Sequence, residues 1–301
     1  MSNLLPFAGR FSPERYASSG LRKISLVVFL HGNCPNAAEH YKDWLLLPAQ
    51  LARSGYIVVV PHLPLVSSGV IPTEEDNTDV SLVESILQWV RTEWGQQDQV
   101  APPPATGLAG HSFGALLAGR LASRVPALAF VSLSGVWTSW DGLLPHPLSV
   151  LNLPALLMWG TPDDGQELHA VLNVNNAFLW NNIPPPKHRL VFANGHHWDY
   201  LPVDQIQCKQ TPGDCRLIKS LAADFIALFL ARYMRPPASS NPPDIPASLE
   251  KVEHALTQEQ DFFAGAHLTG LSAIGADTEC TLTHDWFTAT GDSGSITLPG
   301  G

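Results

Sequence analysis

Three residue types, met in one order along the chain, carry the chemistry this sequence is equipped for: a serine at Ser112, an acid at Asp163 or Asp164, and a base at His196 or His197. A serine hydroxyl is a poor nucleophile at neutral pH until an imidazole takes its proton, and that imidazole needs a carboxylate to hold its tautomer and orientation. Ser112 is the centre of Gly110-His111-Ser112-Phe113-Gly114, with small and apolar residues before it and a helix-forming run from Ala115 to Ala122 after it. Glycines on both sides permit a sharp strand-to-helix turn in which larger side chains would collide with the adjoining elements. Such a turn presents the hydroxyl and aims the N–H of Phe113 at the place where an oxyanion would form. A second amide, that of Asn33, follows a glycine in His31-Gly32-Asn33. The acid follows Gly160-Thr161-Pro162, and the base lies in Gly195-His196-His197-Trp198-Asp199.

The elements that must position these groups are buried strands ending just ahead of them. Ile24 to Leu30 is a near-continuous apolar run rich in β-branched residues, the pattern of a strand covered on both faces of a parallel sheet. Tyr41 to Ser54 reads as a helix closed by Gly55, Tyr56 to Val60 as a strand, and Pro61-His62-Leu63-Pro64 as a turn away from it, with His62 a packed loop residue. Val80, Val83, Ile86, Leu87, Val90 and Trp94 recur at helical spacing and predict an amphipathic helix from Asp79 to Trp94. After Ala101-Pro102-Pro103-Pro104 a short strand feeds the Ser112 turn. Ala129 to Leu133, Ala155 to Trp159 and Arg189 to Phe192 read as further strands, and Leu217 to Tyr233 as a last helix with Leu221, Phe225, Leu228 and Phe229 on its buried side. Alternation of this kind predicts an α/β fold with a doubly wound, mostly parallel sheet and helices on both faces. In such sheets a ligand sits outside the C-terminal ends of the strands, and every candidate above falls there.

Composition narrows the classes of function. The 301 residues carry a formal net charge of −10 and no basic run, which argues against nucleic-acid and anionic-membrane partners. No apolar stretch reaches the roughly 18 residues of a membrane span, and Met1 to Arg10 lacks the charged start and apolar core of a signal peptide. The chain reads as soluble, without integral membrane association; compartment and oligomeric state stay open. His196, His197 and Asp199 do not read as a metal site, since adjacent histidines rarely share one metal without a partner at suitable spacing. Cys34, Cys208, Cys215 and Cys280 have no Cys-x-x-Cys spacing, although Cys208 and Cys215 flank a short turn that a disulfide is able to close.

Taken together, His31-Gly32-Asn33, Gly110-His111-Ser112-Phe113-Gly114, Gly160-Thr161-Pro162-Asp163 and Gly195-His196-His197-Trp198-Asp199 resemble the α/β-hydrolase superfamily. The resemblance runs from about Met1 to Tyr233, in the chain order nucleophile, acid, base of that fold. Within the superfamily the chain is similar to the small esterases of the chlorophyllase, platelet-activating-factor acetylhydrolase and bacterial polyesterase group. This implies ester hydrolysis through an acyl-enzyme, with Ser112 as nucleophile, His197 as base, Asp163 as orienting acid, the amides of Asn33 and Phe113 as oxyanion hole, and no cofactor. The superfamily's Gly-x-x-Asp spacing from Gly160 favours Asp163 over Asp164. A histidine followed by an aromatic residue and Asp favours His197 over His196. Relatives that open epoxides or remove halide carry Asp at the nucleophile position, where this chain has Ser112. Only Gly135 to Leu153 occupy the place of a helical lid, so Trp137, Trp140 and Trp198 are candidates to line a substrate groove. The same triad serves amide and thioester hydrolysis, and the same scaffold serves non-catalytic binding.

After residue 235 the composition shifts. Residues 236–247 form a Pro/Ser-rich linker. Residues 248–301 read as a small α+β appendage, helical from Ser248 to Phe263 and made of short strands from His267 to Leu298, with His284-Asp285 as a surface pair. With the lid so short, the appendage is a candidate to shape access to the site.

Overall fold

Five consecutive residues of strand β1 (Leu26–Leu30) have every side chain buried, as a strand must when both faces of its sheet are covered. The computed structural model describes residues 23–33, 40–44, 46–68, 78–136, 152–161, 176–201, 216–234, 282–287 and 293–298. Around β1 lie β2 (Ile57–Val59), β3 (Thr106–His111), β4 (Ala129–Leu133), β5 (Ala155–Thr161) and β6 (Lys187–Ala193), in the spatial order β2-β1-β3-β4-β5-β6 and all parallel. β7 (Leu282–Phe287) and β8 (Ser293–Leu298) continue the same sheet as an antiparallel hairpin on β6. Strands expected from Ile24, Tyr56, Ala155 and Arg189 are thus present with ends shifted by one to two residues.

Alternate side chains of the parallel strands feed two cores. Val27 and Phe29 of β1, Val131 and Leu133 of β4, and Leu190 and Phe192 of β6 face helices α1 (Leu46–Arg53) and α6 (Arg216–Met234). Leu26, Val28 and Leu30, Phe130, and Leu157 and Trp159 face α3 (Thr78–Thr92), α4 (Phe113–Ala122) and α5 (residues 176–182). The helical stripe of α3 is as expected: Val80, Val83, Leu87 and Val90 are buried, with Ile86 and Trp94 packed on the same cluster. Each fully buried Leu, Val or Phe removed from water contributes about 1.5–3 kcal/mol to this packing.

Three local features differ from the sequence reading. The stretch expected as one helix from Tyr41 is a 3-10 turn, His40–Trp44, ahead of α1. Pro64, expected only to turn the chain, begins a one-turn helix, α2 (Pro64–Ser67). Its first amides find an acceptor far along the chain: the buried carboxylate of Asp79 accepts from the N–H groups of Leu65 at 3.4 Å and Val66 at 3.1 Å. Asp79 thus caps α2 while standing in the first turn of α3, a pairing that no local spacing announces. Asp285 is not an isolated surface residue either, since it forms a 2.6 Å ion pair with Arg189 across the β6–β7 ladder.

At the start of β6, the buried Lys187 ammonium donates to the carbonyls of Trp180 at 2.6 Å and Ile183 at 2.9 Å, a cation against the C-terminal end of α5. Burial, with Arg189 nearby, lowers the pKa of Lys187. The expected lead-in before Leu21, the linker at 236–247, the helix at Ser248 to Phe263, and all four cysteines lie outside the described residues.

Candidate active site

Ser112 occupies the turn between β3 and α4 with φ 56° and ψ −124°. An L-residue rarely adopts that combination, and it persists only where the surroundings over-determine it. They do so here through the backbone. The Ser112 N–H donates to Leu133 O of β4 at 3.0 Å, and its carbonyl accepts from Ala115 at 3.1 Å and from Val136 at 3.3 Å. The flanking glycines fill their expected role: a Cβ on Gly110 would overlap the Gly114 carbonyl, and one on Gly114 would overlap the carbonyls of Leu30 and His31. α4 begins at Phe113, so the Phe113 N–H has no acceptor within the helix and lies at its N-terminal end.

A second loop, His31-Gly32-Asn33, leaves β1 beside this turn. A Cβ on Gly32 would stand 2.9 Å from Ser112 Cβ and 2.8 Å from His111 Nδ1, which places His31-Gly32-Asn33 against the serine. His31 is fully buried and holds the loop. Its Nε2 lies 3.2 Å from the N–H of Leu63, which can only donate, so Nε2 is the accepting nitrogen. The proton of the neutral ring is therefore on Nδ1, which donates to the Gly32 carbonyl at 2.9 Å.

The histidine loop arrives from β6, three strands from β3, a span of roughly 14 Å at about 4.8 Å per strand. The ring of His197 lies 4.4 Å from that of His111, and the His197 carbonyl accepts from His111 Nε2 at 2.8 Å. His197 is 4% exposed and Ser112 5% exposed, while His196 is only half-buried. Asp199 is buried and belongs to the turn itself: its Oδ2 accepts from the His196 N–H at 2.8 Å, and its own N–H donates to the His196 carbonyl at 3.1 Å.

Trp198 is half-buried and stands edge-on to His197 at 4.9 Å, with His111 at 5.2 Å and the core beneath. Tyr200 completes the ring cluster and receives a 3.4 Å hydrogen bond from Ser134 Oγ. Burial, to which the Asp199 carboxylate adds, pushes its phenol well above the ordinary range, so it stays protonated.

Ser112, Phe113, the Gly32-Asn33 loop and His197 therefore converge at the C-terminal ends of the central strands. Gly160, near the C-terminal end of β5, meets Gly195, in the loop after β6, in backbone contact. Asp163, Asp164, Trp137 and Trp140 lie outside the described residues. Two residues with a part in this geometry, His31 and His111, have no role that the motifs alone imply. Their signal is a histidine at the end of an otherwise apolar strand, where a ring needs partners to be buried.

The strand order, the serine on a strained strand-to-helix turn and the histidine loop after the sixth parallel strand together define an α/β-hydrolase fold. A sequence model described as alpha/beta hydrolase fold matches residues 25–151, from β1 through the elbow to beyond β4. Among solved structures, the chain is similar to a ferulic acid esterase from Streptomyces cinnamoneus, with a TM-score of 0.53 and 19% identity, covering 75% of this chain and 72% of that one. A search of curated protein sequences finds no match. No helix among the described residues is long and apolar enough to cross a membrane.

Proposed function

We propose that the protein is a serine hydrolase that cleaves carboxylic esters of small molecules through an acyl-enzyme, with Ser112 as nucleophile, His197 as base and Asp163 as the orienting acid. The observation that carries this reading is the backbone of Ser112, held at φ 56° and ψ −124° between two glycines that admit no side chain. Strain of this kind costs about 1–3 kcal/mol and persists where function uses it. His197 takes the Ser112 proton as Oγ attacks the ester carbon, and the amides of Asn33 and Phe113 receive the charge that develops on the carbonyl oxygen. Collapse breaks the bond to the leaving oxygen, which His197 protonates; water, deprotonated by His197, then releases the acid and restores Ser112.

The ester reading draws support from the similar ferulic acid esterase. Amide or thioester hydrolysis uses the same groups, and a substrate panel separates the three. No step calls for a cofactor. Trp198 beside His197 supports an apolar or aromatic lining on the histidine side.

The test is intact-mass labelling by a fluorophosphonate in wild type and Ser112→Ala, alongside hydrolysis of a short and a long p-nitrophenyl ester. One adduct on wild type and none on the variant is the expected result. A folded wild type that neither labels nor hydrolyses either ester would leave the fold as a non-catalytic binding scaffold.

A further inference from the structure

We infer that His111 is a positioning residue whose single ring sets the spacing between the nucleophile, the donor loop and the histidine loop. The inference deepens the serine-hydrolase reading and rests on it. His111 ends β3, one residue before Ser112, so its side chain lies on the face opposite α4, among Trp44, Trp198 and Tyr200 at ring separations of 4.5, 5.2 and 5.8 Å. The ring is fully buried. A carbonyl oxygen only accepts, so the 2.8 Å contact with His197 O places the proton on Nε2, which donates.

One side of the ring therefore holds the backbone of His197 itself. The other side, at Nδ1, lies where a Cβ on Gly32 would come within 2.8 Å. Three segments, those of Gly32, Ser112 and His197, are thus gauged by one imidazole whose own backbone is fixed in β3, 86 positions from His197. His111 is fully buried, so it acts through other residues rather than on substrate. It acts by fixing where the His197 ring stands relative to Ser112 Oγ, and a proton transfer between positioned groups is sensitive to displacements well under 1 Å.

The geometry separates two amide replacements. The Gln amide nitrogen reaches the place of Nε2 and keeps the donor to His197 O; the shorter Asn amide reaches only the place of Nδ1. The experiment follows the rate of fluorophosphonate labelling of Ser112, and kcat and KM for p-nitrophenyl acetate, in wild type, His111→Leu, His111→Gln and His111→Asn. All are measured at a temperature where circular dichroism shows each protein folded.

In His111→Leu and His111→Asn, labelling and kcat are expected to fall about 10- to 100-fold with little change in KM, the scale of a misplaced catalytic group. His111→Gln is expected to stay within about 5-fold of wild type, because it restores the one hydrogen bond that positions the loop. Equal rates in the Gln and Asn variants, whether fast or slow, would overturn the inference, since packing alone would then account for the residue. If His111→Leu does not fold, the Gln and Asn comparison decides alone. A wild type that does not label removes the serine-hydrolase reading itself, a different outcome from a labelled wild type with unaffected variants.

Discussion

Gly160 and Gly195 are in backbone contact across the ends of β5 and β6, so close that a Cβ on Gly160 would overlap the Gly195 carbonyl. The contact sets the end of β5 against the loop that carries His197, and it leaves room for nothing larger than hydrogen. Gly160→Ala must therefore push that loop away from the end of β5. It is expected to destabilise the fold by about 1–3 kcal/mol, as overpacking of rigid backbone does, and to lower kcat more than it raises KM. Thermal unfolding with steady-state kinetics checks both; a fully active, equally stable variant would show that the two backbones part freely.

The strained elbow predicts an inversion of an ordinary rule. At most positions Gly is less stable than Ala by roughly 0.5–1 kcal/mol, because it gains more freedom on unfolding. At φ 56° and ψ −124° the Cβ is the burden. Ser112→Gly is thus expected to unfold at the same or higher temperature than Ser112→Ala, both being inactive. A clearly lower Tm for the glycine variant would mean that the surroundings do not enforce the turn.

His31 gives the loop after β1 its shape through two hydrogen bonds, from Leu63 N–H and to Gly32 O. His31→Leu leaves a buried amide and a carbonyl without those partners, at a cost of about 1–3 kcal/mol for each such group. Because the carbonyl belongs to the residue before Asn33, kcat is expected to drop beyond what the loss of stability explains. Kinetics at a temperature well below the variant's own Tm separate the two effects.

Stability should also depend on pH through His188, on β6 against α6. Burial, and secondarily the charge of Arg232, lower its pKa from 6.5 to about 3. Its Nε2 lies 2.9 Å from the Tyr233 hydroxyl. Between those values the unfolded chain binds a proton that the folded chain refuses, so folding stability is complete above about pH 6.5 and declines as pH falls toward 3. Denaturant unfolding at pH 7 and pH 5 should show this loss, and His188→Gln should flatten it. An equal slope in the variant would assign the acid sensitivity to other groups.

The hairpin β7–β8 covers the edge of β6 along six register positions, with the Arg189–Asp285 pair across the ladder. Removing everything after Arg235 would expose that edge, a template for pairing between chains. The truncated protein is expected to self-associate in size-exclusion chromatography. A monomeric truncation with unchanged activity and substrate preference would show that the residues beyond 235 neither protect the sheet nor shape access to the site.

Much of the scaffold was legible because its causes are local. Apolar β-branched runs of five residues such as Leu26–Leu30, and the helical stripe Val80, Val83, Leu87, Val90, declare their elements wherever they are placed. Gly110 and Gly114 around Ser112 announce a turn for the same reason, since the need for a missing side chain is written in the residue itself. Reach across the sheet is not local. That Asp285 pairs with Arg189 and that His111 holds the carbonyl of His197 depend on which strands lie side by side, and that Asp79 caps α2 from the first turn of α3 depends on how those two helices pack. The sequence by itself determined the strands, the elbow and the order of the reactive residue types, because period, volume and backbone freedom are properties of neighbours in the chain. Only the tertiary structure decided which buried polar groups satisfy one another, because a hydrogen bond is specified by position in space, and the sheet order β2-β1-β3-β4-β5-β6 brings together residues that the chain keeps 30 to 100 positions apart.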